Sequence, residues 1–305
     1  MRVQFSIVTA SLNRRDLLGR AVRSAVAQGL EGVEHIIVDG VSNDGTLEML
    51  REFPHLLVSS EPDKSLYEAW NKGIRRARGD FIVILNSDDE LPAGAFAHVR
   101  SLAEATPQAD LISGAVEIVR QADGGMADVR IIDHPPMVSL REQDIGPGIP
   151  LTNGRYISRR LLERVGPFDE RYPVISDRQF FLRVLLSDAV RRSTPSPLYR
   201  YHVHAGSLTL NDAPASRPLS QQCLRAACDG MSEARAARDF AAYRRWHAWA
   251  AGYLAGIEFR DGDQRAAFGT LAAATRRDPA WLFRMAPAVM RHIAERAERL
   301  GRKAA

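Results

Sequence analysis

Through the first half of the chain, short apolar runs alternate with stretches in which apolar residues recur every three or four positions. Residues 3–9, 33–38, 56–59 and 81–85 are runs of the first kind, bounded by polar or glycine-containing turns, and are predicted strands. Residues 16–28 carry Leu17, Ala21, Ser24, Ala25 and Gln28 at helical spacing, and 46–53 and about 66–78 supply the other helices between the strands. Such alternation implies βα units around a mainly parallel sheet. Beyond residue 110 the pattern is less regular. Residues 111–119 and 129–132 predict a hairpin across QADGGMAD, and the Pro/Gly-rich DIGPGIPLTNG precedes a short helix at about 158–165. A further helix is expected over 177–187, with strands around PLYRYHVHAGSLT. After Pro218 every pattern is helical, so DAPASRP marks a boundary between an α/β domain, 1–214, and a helical C-terminal region, 215–305. Within that region GDQRAAFGTLAAATRRDPAW has the form of a helix-turn-helix unit of the tetratricopeptide kind.

Composition narrows the class without changing this picture. A chain of 305 residues, 45% apolar and 26% charged, is globular and can bury one large domain with an accessory part. Its start, MRVQFSIVTASLN, lacks the long apolar stretch of a signal peptide, and no run approaches the roughly 18 apolar residues of a membrane span. A cytoplasmic location is expected. Cys223 and Cys228, five apart in a predicted helix, fit neither a C-x-x-C motif nor a zinc pattern and read as reduced thiols. Charge is unevenly spread: residues 1–214 hold 25 Lys+Arg against 28 Asp+Glu, and residues 215–305 hold 16 against 9. The basic part interleaves arginine with alanine and has no recognition-helix motif, which argues against nucleic acid as a partner.

The chemistry begins where the strands end. Asp39 follows the second strand, Asp63 the third, and Asp88 and Asp89 close the stretch FIVILNSDDEL after the fourth. Ligands of open α/β sheets bind at the carboxyl ends of strands, so these acids face one edge. The first strand runs into VTASLNRRDLL with no G-x-G-x-x-G, and no G-x-x-x-x-G-K-[ST] occurs, which disfavours dinucleotide and P-loop enzymes. Carboxylates repel phosphates but bind them through a divalent cation. Mg²⁺ takes one or two protein carboxylates and lets substrate phosphate complete its shell. One Asp of the adjacent pair can hold Mg²⁺ or Mn²⁺ on a diphosphate while the other accepts from a sugar hydroxyl; the structural alternative is an N-cap or Asx turn before Pro92.

These residues resemble the family 2 glycosyltransferases of GT-A fold, across nearly all of 3–210. The stretches FSIVTASLNR, HIIVDGVSNDGT, SEPDKSLYEAWNKGIRRARGDFIVILNSDDE, GPFDERYPVISDRQFFLRVL and YRYHVHAGSLT occur in the family's order. The resemblance implies a Rossmann-like, mainly parallel α/β domain that moves a sugar from a nucleotide diphosphate, with a UDP-sugar favoured, to an acceptor hydroxyl with inversion. It further implies nucleotide-sugar contacts at Thr9, Ala10, Asn13, Asp39, Asp63, Asn86, Ser87 and Asp88, a metal held by Asp89 and His204, and a catalytic base at Asp177. Ordinary strand-end capping is the structural alternative for Thr9 and Asn13, and helix capping for Asp177. A surface or hydrogen-bonded histidine is the alternative at 204, and His202 could serve in its place.

Departures from the family fall near the sugar. Ser65, Glu68 and Trp70 stand where many relatives carry Gly, Asp and Met, and Leu151–Gly154 replaces a common His-Gln pair. The expected activity is therefore a hexosyl- or N-acetylhexosaminyl-transferase in surface polysaccharide or glycan synthesis, with a glycan or lipid-linked acceptor. Two rivals are a nucleotidyltransferase, which would show a Gly-rich basic loop after the first strand, and a non-catalytic sugar-nucleotide scaffold. In the tail, Met290, Ile293, Ala294, Ala297 and Leu300 line a helix studded with Arg291, Arg296, Arg299, Arg302 and Lys303. That helix suits peripheral contact with an anionic membrane, or packing on its own domain with a solvated basic face.

Overall fold

The computed structural model describes residues 4–121, 127–132, 152–204, 217–234 and 236–284. Described residues up to 204 form one compact unit and those from 217 a second. The expected boundary at 214, the loop before residue 152 and the basic helix of the tail lie outside the described residues.

In the first unit β1 (Phe5–Ser11), β2 (Val33–Asp39), β3 (Leu56–Ser60) and β4 (Phe81–Ile84) are parallel, in the order β3-β2-β1-β4. Between them run α1 (Arg15–Val26), α2 (Thr46–Leu50) and α3 (Leu66–Arg76). Phe5, Ser6, Ile7, Val8 and Thr9 are all fully buried, as a strand covered on both faces requires. Phe5 and Ile7 share a core with Leu18, Ala21 and Val22 of α1 and with Phe96 and Val99 of α4 (Ala95–Ala105). Phe5 and Phe96 stack with ring centroids 4.5 Å apart. Val8 and Val38 instead meet Gly73 of α3. Because β1 has β2 on one side and β4 on the other, the strand order reverses there and a crevice opens at the carboxyl ends.

Past β4 the sheet becomes mixed. β5 (Leu111–Gln121) and β6 (Ala127–Ile132) form the expected antiparallel hairpin, and β7 (Arg155–Ser158) runs antiparallel to both β4 and β5. β8 (Arg191–Val203) lies parallel to β5, giving an eight-stranded sheet. The sequence pattern missed β7 and α4. All four residues of β7 are buried, and pairing partners distant in sequence define it. Ser158, the expected first residue of the following helix, instead caps it: its Oγ accepts from Leu161 N at 3.2 Å, ahead of α5 (Arg159–Val165). α6 (Ser176–Leu186) completes this unit.

The second unit contains α7 (Arg217–Glu233), α8 (Ala237–Arg260) and α9 (Gln264–Arg277), with α8 packed on both others. Gly230 of α7 sits against the Tyr243 ring, and Trp246 is fully buried. Cys223 and Cys228 are free thiols in α7. Among the described residues no helix is long and apolar enough to cross a membrane.

Candidate active site

The chain leaves β4 with Leu85 N donating to Val8 O at 3.0 Å, then turns through Asn86, Ser87, Asp88 and Asp89. β8 reaches this turn through a paired bridge, Glu90 N to Arg200 O at 3.0 Å and Arg200 N to Glu90 O at 2.9 Å. Asp89 is the hub. Its Oδ1 accepts from His202 N at 2.9 Å, and its Oδ2 from Tyr199 Oη at 2.7 Å and Asn86 Nδ2 at 3.0 Å. Asn153 Nδ2 stands 3.5 Å away. Burial first, and then the neighbouring Asp88 charge, push the Asp89 carboxyl up to about 7 against these bonds. A fully buried carboxylate with donors on both oxygens fixes the shape of the turn.

Asp88 faces outward instead. Its Oδ2 lies 3.0 Å from His204 Nε2, and both side chains are partly exposed, at 20% and 28%. Beside them Glu90 Oε2 meets His202 Nε2 at 2.5 Å, and Arg20 Nη2 donates to the Asp88 carbonyl at 2.6 Å. Two donor atoms 3.0 Å apart match neighbouring ligands of an octahedral Mg²⁺ with bonds of about 2.0–2.1 Å. Among the described residues no group of three or more His, Cys, Asp or Glu could hold a metal by itself. A carboxylate–imidazole pair of this kind fits an ion whose shell is completed by a phosphate substrate.

A second cluster occupies the loops after β1 and β2. Asp39 is fully buried and accepts from Ser42 N at 2.9 Å, Ser42 Oγ at 2.5 Å and Ser60 Oγ at 2.8 Å. Asn13, at φ 53°, joins the two loops: its N donates to Ser42 Oγ at 2.8 Å and its Oδ1 accepts from Asn43 N at 3.0 Å. Between them Val41 sits at φ 68°, a costly conformation for a β-branched residue, and is 53% exposed. Ala10 is half-buried at the end of β1. Thr9 lies deeper, its hydroxyl 3.0 Å from the Nε2 of buried His35, whose imidazole burial drives down to about 3. Ser87 is buried, and Asp63 is paired with Lys72 Nζ at 2.6 Å. Thus Asn86, Asp88, Asp89 and His204 come together, Asn13 and Asp39 form a neighbouring loop clamp, and the Thr9 side chain turns into the core.

Asp177 lies in the first turn of α6. Tyr67 Oη of α3 donates to its Oδ1 at 2.9 Å, with Val174 O 3.2 Å from the same hydroxyl, and Arg178 N donates to the same Oδ1 at 2.8 Å. Among the described residues no donor reaches Oδ2. Burial raises the Asp177 carboxyl above the usual range, opposed by the Arg178 charge and the Tyr67 bond. α3 and α6 are held in register by aromatic packing of Tyr67 and Trp70 on Phe168, and of Phe168 on Phe180. Asn71 clamps the intervening loop, donating to Phe168 O at 2.8 Å and accepting from Phe168 N at 3.0 Å. A carboxylate fixed through one oxygen and open at the other can take a proton from a bound hydroxyl.

Sequence reasoning did not find Tyr199, Tyr67, Arg20 or Asn153. The two tyrosines reach their carboxylates across 110 residues each, a relation that no local spacing encodes.

Residues 6–163 match the family described as Glycosyl transferase family 2. An uncharacterized glycosyltransferase of Mycobacterium tuberculosis is 30% identical over 187 residues, 59% of this chain and 68% of the relative. A PGL/p-HBAD biosynthesis glycosyltransferase of Mycobacterium bovis is 28% identical over 195 residues, 61% of this chain and 71% of the relative. Among solved structures, the mannosyltransferase PcManGT from Pyrobaculum calidifontis, in complex with GDP-Man and Mn²⁺, is similar in fold with a TM-score of 0.55 and 18% identity. The match covers 94% of this chain and 86% of that one, and the fold is GT-A.

Proposed function

The chain belongs to glycosyl transferase family 2, and from that premise we propose that it moves a hexosyl or N-acetylhexosaminyl group from a nucleotide-diphosphate sugar to an acceptor hydroxyl, with inversion at the anomeric carbon. The observation that carries the mechanism is the state of Asp177, tied through Oδ1 to Tyr67 and Arg178 N and open at Oδ2. In this reading Asp177 takes the proton of the acceptor hydroxyl as its oxygen attacks the anomeric carbon from the face opposite the leaving diphosphate. The loop clamp of Asn13 and Asp39 shapes the nucleoside site at the crevice. Asp88 and His204 would hold Mg²⁺ or Mn²⁺; the sequence pointed to Asp89 with His204, but Asp89 is buried and engaged on both oxygens, which favours Asp88 for this role. A cation held there would supply charge neutralisation for the diphosphate leaving group. Asp89 keeps the turn that presents Asp88, and Arg20 steadies its backbone.

Glycan or lipid-linked acceptors fit this reading. The Mycobacterium bovis relative is described by PGL/p-HBAD biosynthesis, and the basic residues from Arg291 to Lys303 would draw the chain to an anionic membrane surface holding such an acceptor. A calorimetric titration with UDP, GDP, dTDP and CDP, each with Mn²⁺ and with EDTA, tests the donor half. Metal-dependent binding of one nucleotide, a UDP compound foremost, supports it, and binding of none overturns it. For the chemical half, Asp177→Asn should retain donor affinity and lose transfer by a factor on the order of 10² to 10⁴. Wild-type transfer by that variant would remove Asp177 from the role.

A further inference from the structure

We propose that the helical unit carries a second ligand site, for a phosphate ester borne on an apolar chain, in a cavity at the start of α8. The cavity has a volume of about 350 Å³ and is lined by Ala237, Phe240, Ala241, Arg244, Arg245 and Arg284. The first five recur at intervals of three, four, seven and eight residues, so they lie on one face of the first turns of α8. Along that face the character changes from apolar, at Ala237, Phe240 and Ala241, to cationic, at Arg244 and Arg245. Arg284, beyond α9, adds a third guanidinium.

Two of these guanidiniums are held in place from behind. Asp278, its side chain fully buried, accepts from Arg244 Nη2 at 2.5 Å through Oδ1 and from Arg284 Nε at 2.8 Å through Oδ2. The Arg244 guanidinium also lies 5.4 Å from the centroid of the Phe240 ring. Arg244 Nη1 and both terminal nitrogens of Arg284 make no hydrogen bond among the described residues. Arg244 and Arg284 share the single Asp278 carboxylate behind them, so the pair keeps a net positive charge, and forked N–H groups already oriented suit phosphate oxygens. The volume lies at the lower end of small-molecule pockets, roughly 300–1,000 Å³, more than a bare phosphate fills. The Phe240 and alanine wall offers no polar group to read a base or a sugar, so the remaining space takes hydrocarbon. This site is independent of the transferase reading, because it lies wholly in the second unit and its test is binding.

The test is calorimetric titration of the full chain with octyl phosphate, inorganic phosphate and octyl glucoside, repeated on Ala241→Trp and Arg284→Gln. One octyl phosphate should bind per chain. Inorganic phosphate and the uncharged glucoside should each bind at least about tenfold more weakly, a difference of about 1.4 kcal/mol or more. Ala241→Trp fills the cavity from an exposed position and leaves the Asp278 bonds alone, so it should weaken octyl phosphate by about tenfold or more at unchanged Tm. Arg284→Gln should weaken octyl phosphate by a similar factor through the anion, with a lower Tm because its bond to Asp278 is lost. Absence of saturable binding, equal affinity for octyl phosphate and either control, or an Ala241→Trp variant that binds like wild type would each overturn the site.

Discussion

At the scale of single residues, the two adjacent aspartates divide the work by exposure. Asp89→Ala would leave Tyr199 Oη, His202 N and Asn86 Nδ2 without their acceptor inside the protein, a loss of roughly 3 kcal/mol that should appear as a lowered Tm. Asp88→Asn removes no buried bond; it should melt close to wild type and lose Mn²⁺-dependent nucleotide binding. An Asp88→Asn protein that still bound nucleotide in a Mn²⁺-dependent way would return the ion to Asp89. Tyr67 is a positioning residue for Asp177, and its removal has a signature beyond lost activity. Burial already raises the Asp177 carboxyl, so the acidic limb of kcat/KM against pH should lie above the ordinary aspartate value of about 3.9. The Tyr67 bond lowers that carboxyl, so Tyr67→Phe should move the limb to still higher pH and cut kcat about tenfold. A lower kcat with an unmoved limb would assign Tyr67 to packing alone.

Secondary-structure elements decide how closely the parts of the site approach. α3 can lie on β1 and β2 because residue 73 is glycine: a Cβ there would run into the Val8 side chain and reach Val38 Cγ2 at 3.4 Å. Alanine in a helix interior gains about 1 kcal/mol over glycine, whereas overpacking a core costs about 1–3 kcal/mol. With a contact this close the second effect wins. Gly73→Ala should therefore lower stability by about 1–2 kcal/mol in a denaturant titration, and because α3 carries Tyr67, transfer should fall with it. This balance also separates what was legible in the sequence from what was not. β1, β2 and β4 and the helices between the strands follow from local apolar periodicity, since they are covered on their faces and show it, while β3, at the sheet edge with Leu57 and Val58 exposed, follows from its short apolar run alone. The RYIS segment of β7 has no such mark; only β4 and β5 on either side make it a strand. Likewise the acids at the strand ends could be read from order along the chain, but not which of Asp88 and Asp89 is open. That depends on Tyr199 and His202 arriving from β8.

For the molecule as a whole, the division into an acidic catalytic part and a basic helical part makes acid a selective probe. Chains with two compact units need not unfold in a single step. In the helical unit Asp278 joins α8 to the segment after α9 through Arg244 and Arg284. Burial alone would raise this carboxyl, but the two arginine bonds and their charges bring it down to about 2. The unfolded value is near 3.9, so the folded state binds the proton less readily and is stabilised while Asp278 is ionised. That contribution, on the order of 2 kcal/mol, is complete above about pH 4 and lost as pH falls through about 2. Asp278→Asn should therefore be less stable than wild type at neutral pH, and the gap should close as the two are acidified from pH 4 to pH 2. Helix content followed by far-UV circular dichroism during thermal melts at stepped pH measures both. A gap that persisted at pH 2 would mean that Asp278 acts through shape and packing, with its charge contributing little to holding the two arginines.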